Sequence, residues 1–279
     1  MSLTRIPMPE RLREAAENGS ADPVEPKDAA TIVVVRDGDA GIEAYLMRRQ
    51  SSMAFAAGFY VFPGGGVAAS DHDDVPWVGP DAEQWGRWFR CEPALARALV
   101  VAAVRETFEE TGVLLAGADA DTVLDDTSTP AMEQTREDLE EGRISFGDFL
   151  RREQLVLRAD LVGAWAHWIT PEFEPRRYDT RFFVAALPAG QRVGTISREA
   201  DRATWAPIAS VLATVEAGDA AMMPPTIATC RSIAQHSAQT VVQLAPHRTF
   251  ETIVPRLVDV DGELFLETDM GLEDEEETS

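Results

Sequence analysis

At 279 residues with 45% hydrophobic content, the chain can bury a sizeable core as one large domain or two small ones. Its 48 acidic residues against 25 basic ones leave a net charge of −23, which excludes the basic patches that nonspecific nucleic-acid or anionic-membrane binding requires. No apolar run approaches the roughly eighteen residues of a membrane span, and the opening residues lack the apolar stretch of a secretory signal. Cys91 and Cys230 lie far apart without metal-ligand spacing, so a reduced, cytoplasmic protein is expected.

Residues 1–28 are polar and proline-bearing and read as an N-terminal extension, over the surface or partly disordered. At Ala29 the pattern turns to strand. The β-branched run Thr31–Val35, a Gly-Asp-Ala-Gly turn at 38–41 and a return strand over Ile42–Arg49 predict a hairpin. A third short strand over 58–66 is stopped by Pro63 and three glycines. Residues 67–92 read as an irregular excursion with a little helix. Pro93, a favoured first-turn residue, opens a helix that Gly112 closes. An acidic loop over 117–129 precedes two short helices over 130–142 and 145–155. Strands are expected over 161–170 and 180–187, helices over 203–218 and 224–238, and a late hairpin over 252–268 turning at Asp261-Gly262. This is one α/β domain over 29–268 with 67–92 inserted, followed by a solvated acidic tail over 269–279.

The helix from Pro93 carries Arg105, Glu106, Glu109 and Glu110 within six positions. At 3.6 residues per turn the three glutamates fall within an arc of roughly 100°. Arg105 and Glu109 form an i, i+4 pair, and Val101, Val104 and Phe108 leave an apolar face for packing. Convergent carboxylates suit hard divalent cations such as Mg2+ or Mn2+. The plainer alternative is a solvated helix face, which the run Arg136–Gly142 shows this chain also makes.

Residues 105–113 resemble the second half of the Nudix box (Arg-Glu-apolar-any-Glu-Glu-any-Gly-apolar), and Phe62-Pro63-Gly64-Gly65-Gly66 resembles its glycine-rich opening. The chain departs from that pattern in three places. Asp71 stands where a glutamate is usual, Thr107 takes an apolar position, and 33 residues separate Asp71 from Arg105 where seven are usual. The first acidic position is therefore open between Asp71, Glu92 and none. The resemblance implies a Nudix fold, of class α/β (α+β), with a mixed sheet between helices. It implies a metal-dependent hydrolase, a pyrophosphatase acting on nucleoside diphosphate-linked small molecules, with magnesium or manganese as cofactor. By position it gives Glu106, Glu109, Glu110 and the carbonyl of Gly64 as metal ligands, with Arg105 orienting Glu109. Glu172 and Glu174, in a later loop, are candidates for the general base. His167, in an aromatic strand, reads as a satisfied core histidine.

Leu46, Arg49, Gly58 and Phe62-Pro63-Gly64-Gly65, with the expanded box, 168–183 and 222–226, are similar to the coenzyme A diphosphatase branch of that family. That resemblance gives Arg49, Phe62, Arg176 and Arg177 as substrate-binding residues. Against it, Met47 and Ala54 replace an expected threonine and arginine. Arg176, Arg177 and Arg181 either grip phosphates or pair with carboxylates. Trp77, Trp85 and Trp88 read as burying the insertion rather than covering a base. The alternatives are a general ADP-ribose, nucleotide-sugar or dinucleotide pyrophosphatase, a non-catalytic ligand sensor, or a metal-free interaction domain. No nucleic-acid or membrane partner is expected, and homodimerisation is left open.

Overall fold

The computed structural model describes residues 3–7, 16, 23–49, 59–194 and 200–269. In chain order the strands begin with β1 (Leu3–Pro7), β2 (Lys27–Gly38), β3 (Gly41–Arg49), β4 (Tyr60–Val61) and β5 (Gly64–Gly66). A 3-10 turn at Ala69–His72, β6 (Trp77–Val78), helices α1 (Ala82–Phe89) and α2 (Pro93–Thr111), and β7 (Ala116–Gly117) follow. Next come α3 (Pro130–Glu140), α4 (Phe146–Arg152), β8 (Val156–Arg158), β9 (Gly163–Ile169), β10 (Tyr178–Ala186) and β11 (Ala200–Pro207). The described chain ends with α5 (Ile208–Glu216), α6 (Pro224–Ile233), α7 (Ala238–Leu244), β12 (Thr252–Ile253), β13 (Arg256–Val260) and β14 (Glu263–Asp269).

The main sheet runs β11-β3-β2-β10-β9-β12, with β4 attached to β3 and β5 to β2. It is mixed, because β10 runs parallel to β2 and β12 parallel to β9, while β3 runs antiparallel to β2 and β9 antiparallel to β10. Residues 32–35 of β2 are all fully buried, which requires helices on both faces. Ile32 and Val34 face the core under α2, together with Tyr45, Met47 and Phe183. Val33 and Val35 face the second core, with Leu46 of β3 and Ile208, Ile233 and Val241 of α5, α6 and α7. The expected mixed sheet between helices is therefore present.

Several element boundaries differ from the expectation. The strand expected over 58–66 is two fragments. Proline lacks an N–H for a ladder, and at Pro63 the chain leaves β3 to pair with β2 instead. Residues 203–207 belong to β11 rather than to a helix, since Trp205 packs edge-on against Tyr45 at 5.5 Å and the segment pairs with β3. The helix expected over 224–238 stops at Ile233, and Ser237 caps a separate α7 by accepting the Thr240 N–H. From the 1–28 extension, Leu3–Pro7 pair with β14, and β2 already begins at Lys27.

α2 starts at Pro93 and ends at Gly112, whose φ of 75° is a left-handed conformation that glycine adopts without strain. The insertion continues directly into this helix. α1 packs on α2, and its Trp85 and Phe89 bury themselves against Phe183 of the sheet. Trp88 meets Trp85 edge-on, and Trp77 lies half-buried under Arg97. The tryptophans bury the insertion.

Candidate active site

The last two turns of α2 carry Arg105, Glu106, Glu109 and Glu110, and two upstream stretches close over them. One is β5. The Gly64 N–H donates to Glu110 Oε2 at 2.7 Å, and a Cβ placed on Gly65 would lie 2.2 Å from Glu106 Oε1. Only a residue without a side chain lets that carboxylate rest against the strand. The other stretch is the 3-10 turn at Ala69–His72, whose Asp71 is fully buried. Asp71 takes Arg105 side-on, from Nε to Oδ1 and from Nη2 to Oδ2, both at 2.9 Å.

Arg105 spends every donor it has. Beyond Asp71, its Nη1 reaches Glu106 Oε1 at 2.8 Å and both Glu109 oxygens at 3.3 Å, while Nη2 reaches the Gly66 carbonyl at 3.1 Å. The two acidic candidates for the first position lie in different places. Asp71 meets Arg105 across the long insertion, whereas Glu92 lies exposed at the far end of α2. Thr107, at the usually apolar position, is buried and donates to the Ala103 carbonyl at 2.6 Å, so its hydroxyl is satisfied within the helix.

One guanidinium thus faces Asp71, Glu106 and Glu109, with Glu110 beside them. Burial pushes the Glu109 carboxyl up to about 7; Arg105 pulls against that rise and Glu106 adds to it. The Arg105 guanidinium loses solvation too, but Asp71 and the glutamates outweigh the loss and hold it above its ordinary range. Among the described residues no three His, Cys, Asp or Glu side chains stand gathered as a cation site, and Arg105 lies between Glu106 and Glu109. The donor chemistry nevertheless fits a hard dication, because the side-chain donors are all oxygen and three carboxylates face the Arg105 guanidinium with Glu110 beside them.

The remaining expected residues fall elsewhere. Glu174 is buried with Oε1 unpartnered, and burial raises its carboxyl above the ordinary value; Glu172 is exposed. Arg176 is exposed. Arg177 is engaged by main-chain carbonyls, at 3.0 Å to Thr170 and 2.8 Å to Val24, which limits it as a phosphate grip. Arg181 is paired with Asp28 and Asp179, the carboxylate-pairing alternative. Phe62 is buried in the second core. His167 is buried between Asp179 and the Thr252 hydroxyl. The Arg49 side chain and residues 50–58, with Ala54 and Gly58, lie outside the described residues. Missed from the sequence was Arg136, which is buried and reaches the Glu109 carbonyl; the run of charges around it gave no sign of burial.

Comparison with known proteins shows the family. The family model for the NUDT19 Nudix domain matches residues 93–233, from the first turn of α2 to the end of α6. The crystal structure of a NUDIX hydrolase from Alicyclobacillus acidocaldarius superposes with a TM-score of 0.64 at 30% identity, covering 79% of this chain and 96% of that one. The acyl-coenzyme A diphosphatase NUDT19 of Xenopus laevis is 23% identical over 201 residues, 58% of this chain and 52% of that protein. Putative nudix hydrolase 7 of Caenorhabditis elegans is 27% identical over 184 residues, 65% of this chain and 52% of that protein. The chain spans about half the length of these curated relatives. Among the described residues no helix is long and apolar enough to cross a membrane.

Proposed function

The chain belongs to the Nudix hydrolases through a NUDT19-type domain, and from that premise we propose that it hydrolyses a pyrophosphate bond in a nucleoside diphosphate-linked substrate with Mg2+ or Mn2+. The observation that carries this reading is the buried excess of carboxylate around Arg105, pressed against the glycines of β5. Glu106, Glu109, Glu110 and the Gly64 carbonyl are assigned to the metal. Held there, a dication would supply polarisation of phosphoryl oxygens, neutralisation of developing charge and a lowered pKa for a bound water. Arg105 orients Glu106 and Glu109, and Asp71 holds Arg105 from behind. Glu174 is assigned as general base in preference to Glu172, since its buried, unpartnered carboxylate oxygen has the raised affinity for a proton that this role needs.

For the substrate we propose coenzyme A or its acyl esters, cleaved to 3′,5′-ADP and a phosphopantetheine product. The Xenopus relative's stated activity supports this, as do Leu46, Arg49 and Phe62-Pro63-Gly64-Gly65. Ala54, standing where an arginine is expected, favours the second reading, a general pyrophosphatase for ADP-ribose, nucleotide sugars or dinucleotides. The intact set of Arg105, Glu106, Glu109 and Glu110 opposes a non-catalytic sensor. Cys91 and Cys230 are both unpaired, which supports a reducing, cytoplasmic setting.

Product identification by mass spectrometry over a panel of these substrates, with metal and with excess EDTA, tests the reading. Full turnover in EDTA overturns the metal dependence. Coenzyme A is expected to exceed its dephospho form in kcat/KM by roughly tenfold or more, because recognising one phosphate contributes about 1.5–3 kcal/mol. Equal values overturn specific recognition of the 3′-phosphate, and faster turnover of ADP-ribose or a nucleotide sugar than of either overturns the coenzyme A assignment.

A further inference from the structure

We propose that Arg136, on a helix outside the Nudix box, is a positioning residue for the metal-binding turn of α2, an inference that rests on the metal-dependent reading above. Its surroundings in sequence look like a solvated charged face, yet its guanidinium is buried. Helix α3 is fixed in phase at its start, where Thr129 accepts the Met132 N–H and Pro130 occupies the first turn. One turn on, Glu133 grips Arg136 through a single oxygen, at 3.0 Å from Nε and 2.8 Å from Nη2. The remaining arm, Nη1, donates to the backbone carbonyl of Glu109 at 3.2 Å.

That carbonyl needs a partner from outside. The last four carbonyls of an α-helix have no intrahelical donor, and a buried one left bare is costly. In α2 the Phe108 carbonyl accepts the Gly112 N–H at 2.9 Å, and the Thr111 carbonyl accepts the Gly194 N–H at 2.7 Å. Arg136 supplies the donor for Glu109, and its positive charge also meets the negative end of the helix dipole. Glu109 is therefore held twice: its side chain by Arg105 and its main chain by Arg136. The backbone at Gly194 packs on the same pair, since a Cβ there would come within 2.8 Å of Glu133 Oε1. A Glu109 main chain free to shift would carry the Glu109 and Glu110 carboxylates off their positions together.

Calorimetric titration of the metal-free full chain with Mn2+ tests this, using R136Q, R136K, E133Q and, as a control, E110Q. R136Q is expected to weaken Mn2+ binding roughly tenfold, the scale found for partners that orient metal ligands. The Mn2+ concentration for half-maximal activity should rise by the same factor, with KM for substrate at saturating Mn2+ unchanged. R136K keeps both a long-reaching donor for the carbonyl and the positive charge at the helix end, which the neutral, shorter glutamine does not, and should recover most of the affinity. E133Q should show a smaller loss in the same direction. A folded R136Q with wild-type Mn2+ affinity overturns the proposal, as does R136K no better than R136Q. If R136Q does not fold, wild-type affinity in E133Q overturns it. Wild-type protein that takes up no Mn2+, or E110Q that binds it undiminished, overturns the metal reading and this inference with it.

Discussion

Arg105 and Arg181 are both buried arginines held by carboxylates, and the two networks differ in how many carboxylates face one guanidinium. Arg181 meets Asp179 at 2.5 Å and Asp28 at 3.3 Å, and His167 bonds the same Asp179 while its other nitrogen takes the Thr252 hydroxyl. Burial pushes the Asp179 carboxyl up, but His167 and Arg181 outweigh it and hold the group below its ordinary range. Around Arg105 the same kinds of group give the reverse result, with Glu109 raised to about 7. Burial is common to both, so it does not separate them. The number of carboxylates facing each guanidinium does: three around Arg105, with Glu110 beside them, and two around Arg181. The smaller set ties strands together, whereas the larger surplus of carboxylate suits the cation proposed above.

Removing a member of the surplus set should break this contrast most sharply. Glu110→Gln preserves shape and removes charge, so kcat should fall by roughly a hundredfold or more, at least about 2.7 kcal/mol of barrier, with an unchanged circular dichroism spectrum. Near-native turnover would show that Glu110 belongs to a structural network like that of Arg181. Gly65→Ala keeps every charge but drives a methyl into Glu106, which can swing away. It should cost roughly ten- to a hundredfold in kcat, as small misplacements in active sites do, with little change in melting temperature.

The pH response of metal-free protein sharpens the comparison further. Because the Glu109 carboxyl is raised in the folded state, its contribution to stability is full below the ordinary carboxylate value and is lost as pH rises towards 7. Glu109→Gln should therefore stabilise metal-free protein at pH 8 by about 1–3 kcal/mol and not at pH 4.5, and Mn2+ should close the gap. A thermal melt series in EDTA measures this. Asp179 runs the other way, stabilising above the ordinary carboxylate value and losing that contribution as pH falls through its lowered one. The smallest effect is expected for Asp179→Asn, a loss of about 1–2 kcal/mol near neutral pH with kcat unchanged. A large loss of kcat there would erase the distinction between the two networks.

The half of the site that is contiguous in the chain is readable from it. Arg105, Glu106, Glu109 and Glu110 share a helix face because helical periodicity is local, and Pro93 and Gly112 mark the ends of that helix. The partner of Arg105 was not readable, since nothing in the 33 residues between Asp71 and Arg105 indicates that the chain returns. Nor was burial within charged runs: Arg136 and Glu174 look like any surface residues until α3 and the loop before β10 are folded. Glu172 and Glu174 are indistinguishable in sequence and differ only in which one the loop turns inward. In the fold, Ala203–Pro207 has no alternation that separates strand from helix, so only pairing with β3 decides it. The break before α7 rests on the Ser237 cap, a signal overlooked within an apparently continuous helix.

The long return from Asp71 to Arg105 has a consequence for chain entropy. Closing a flexible loop of 33 residues rather than seven costs only about 1.4 kcal/mol more, because the penalty grows as the logarithm of length. Trp85 and Phe89, carried on that loop, are each fully buried, and burying one such side chain contributes about 1.5–3 kcal/mol. The expanded box therefore offsets its own closure penalty, and the ion pair at its base gains a connecting segment that folds as part of the core.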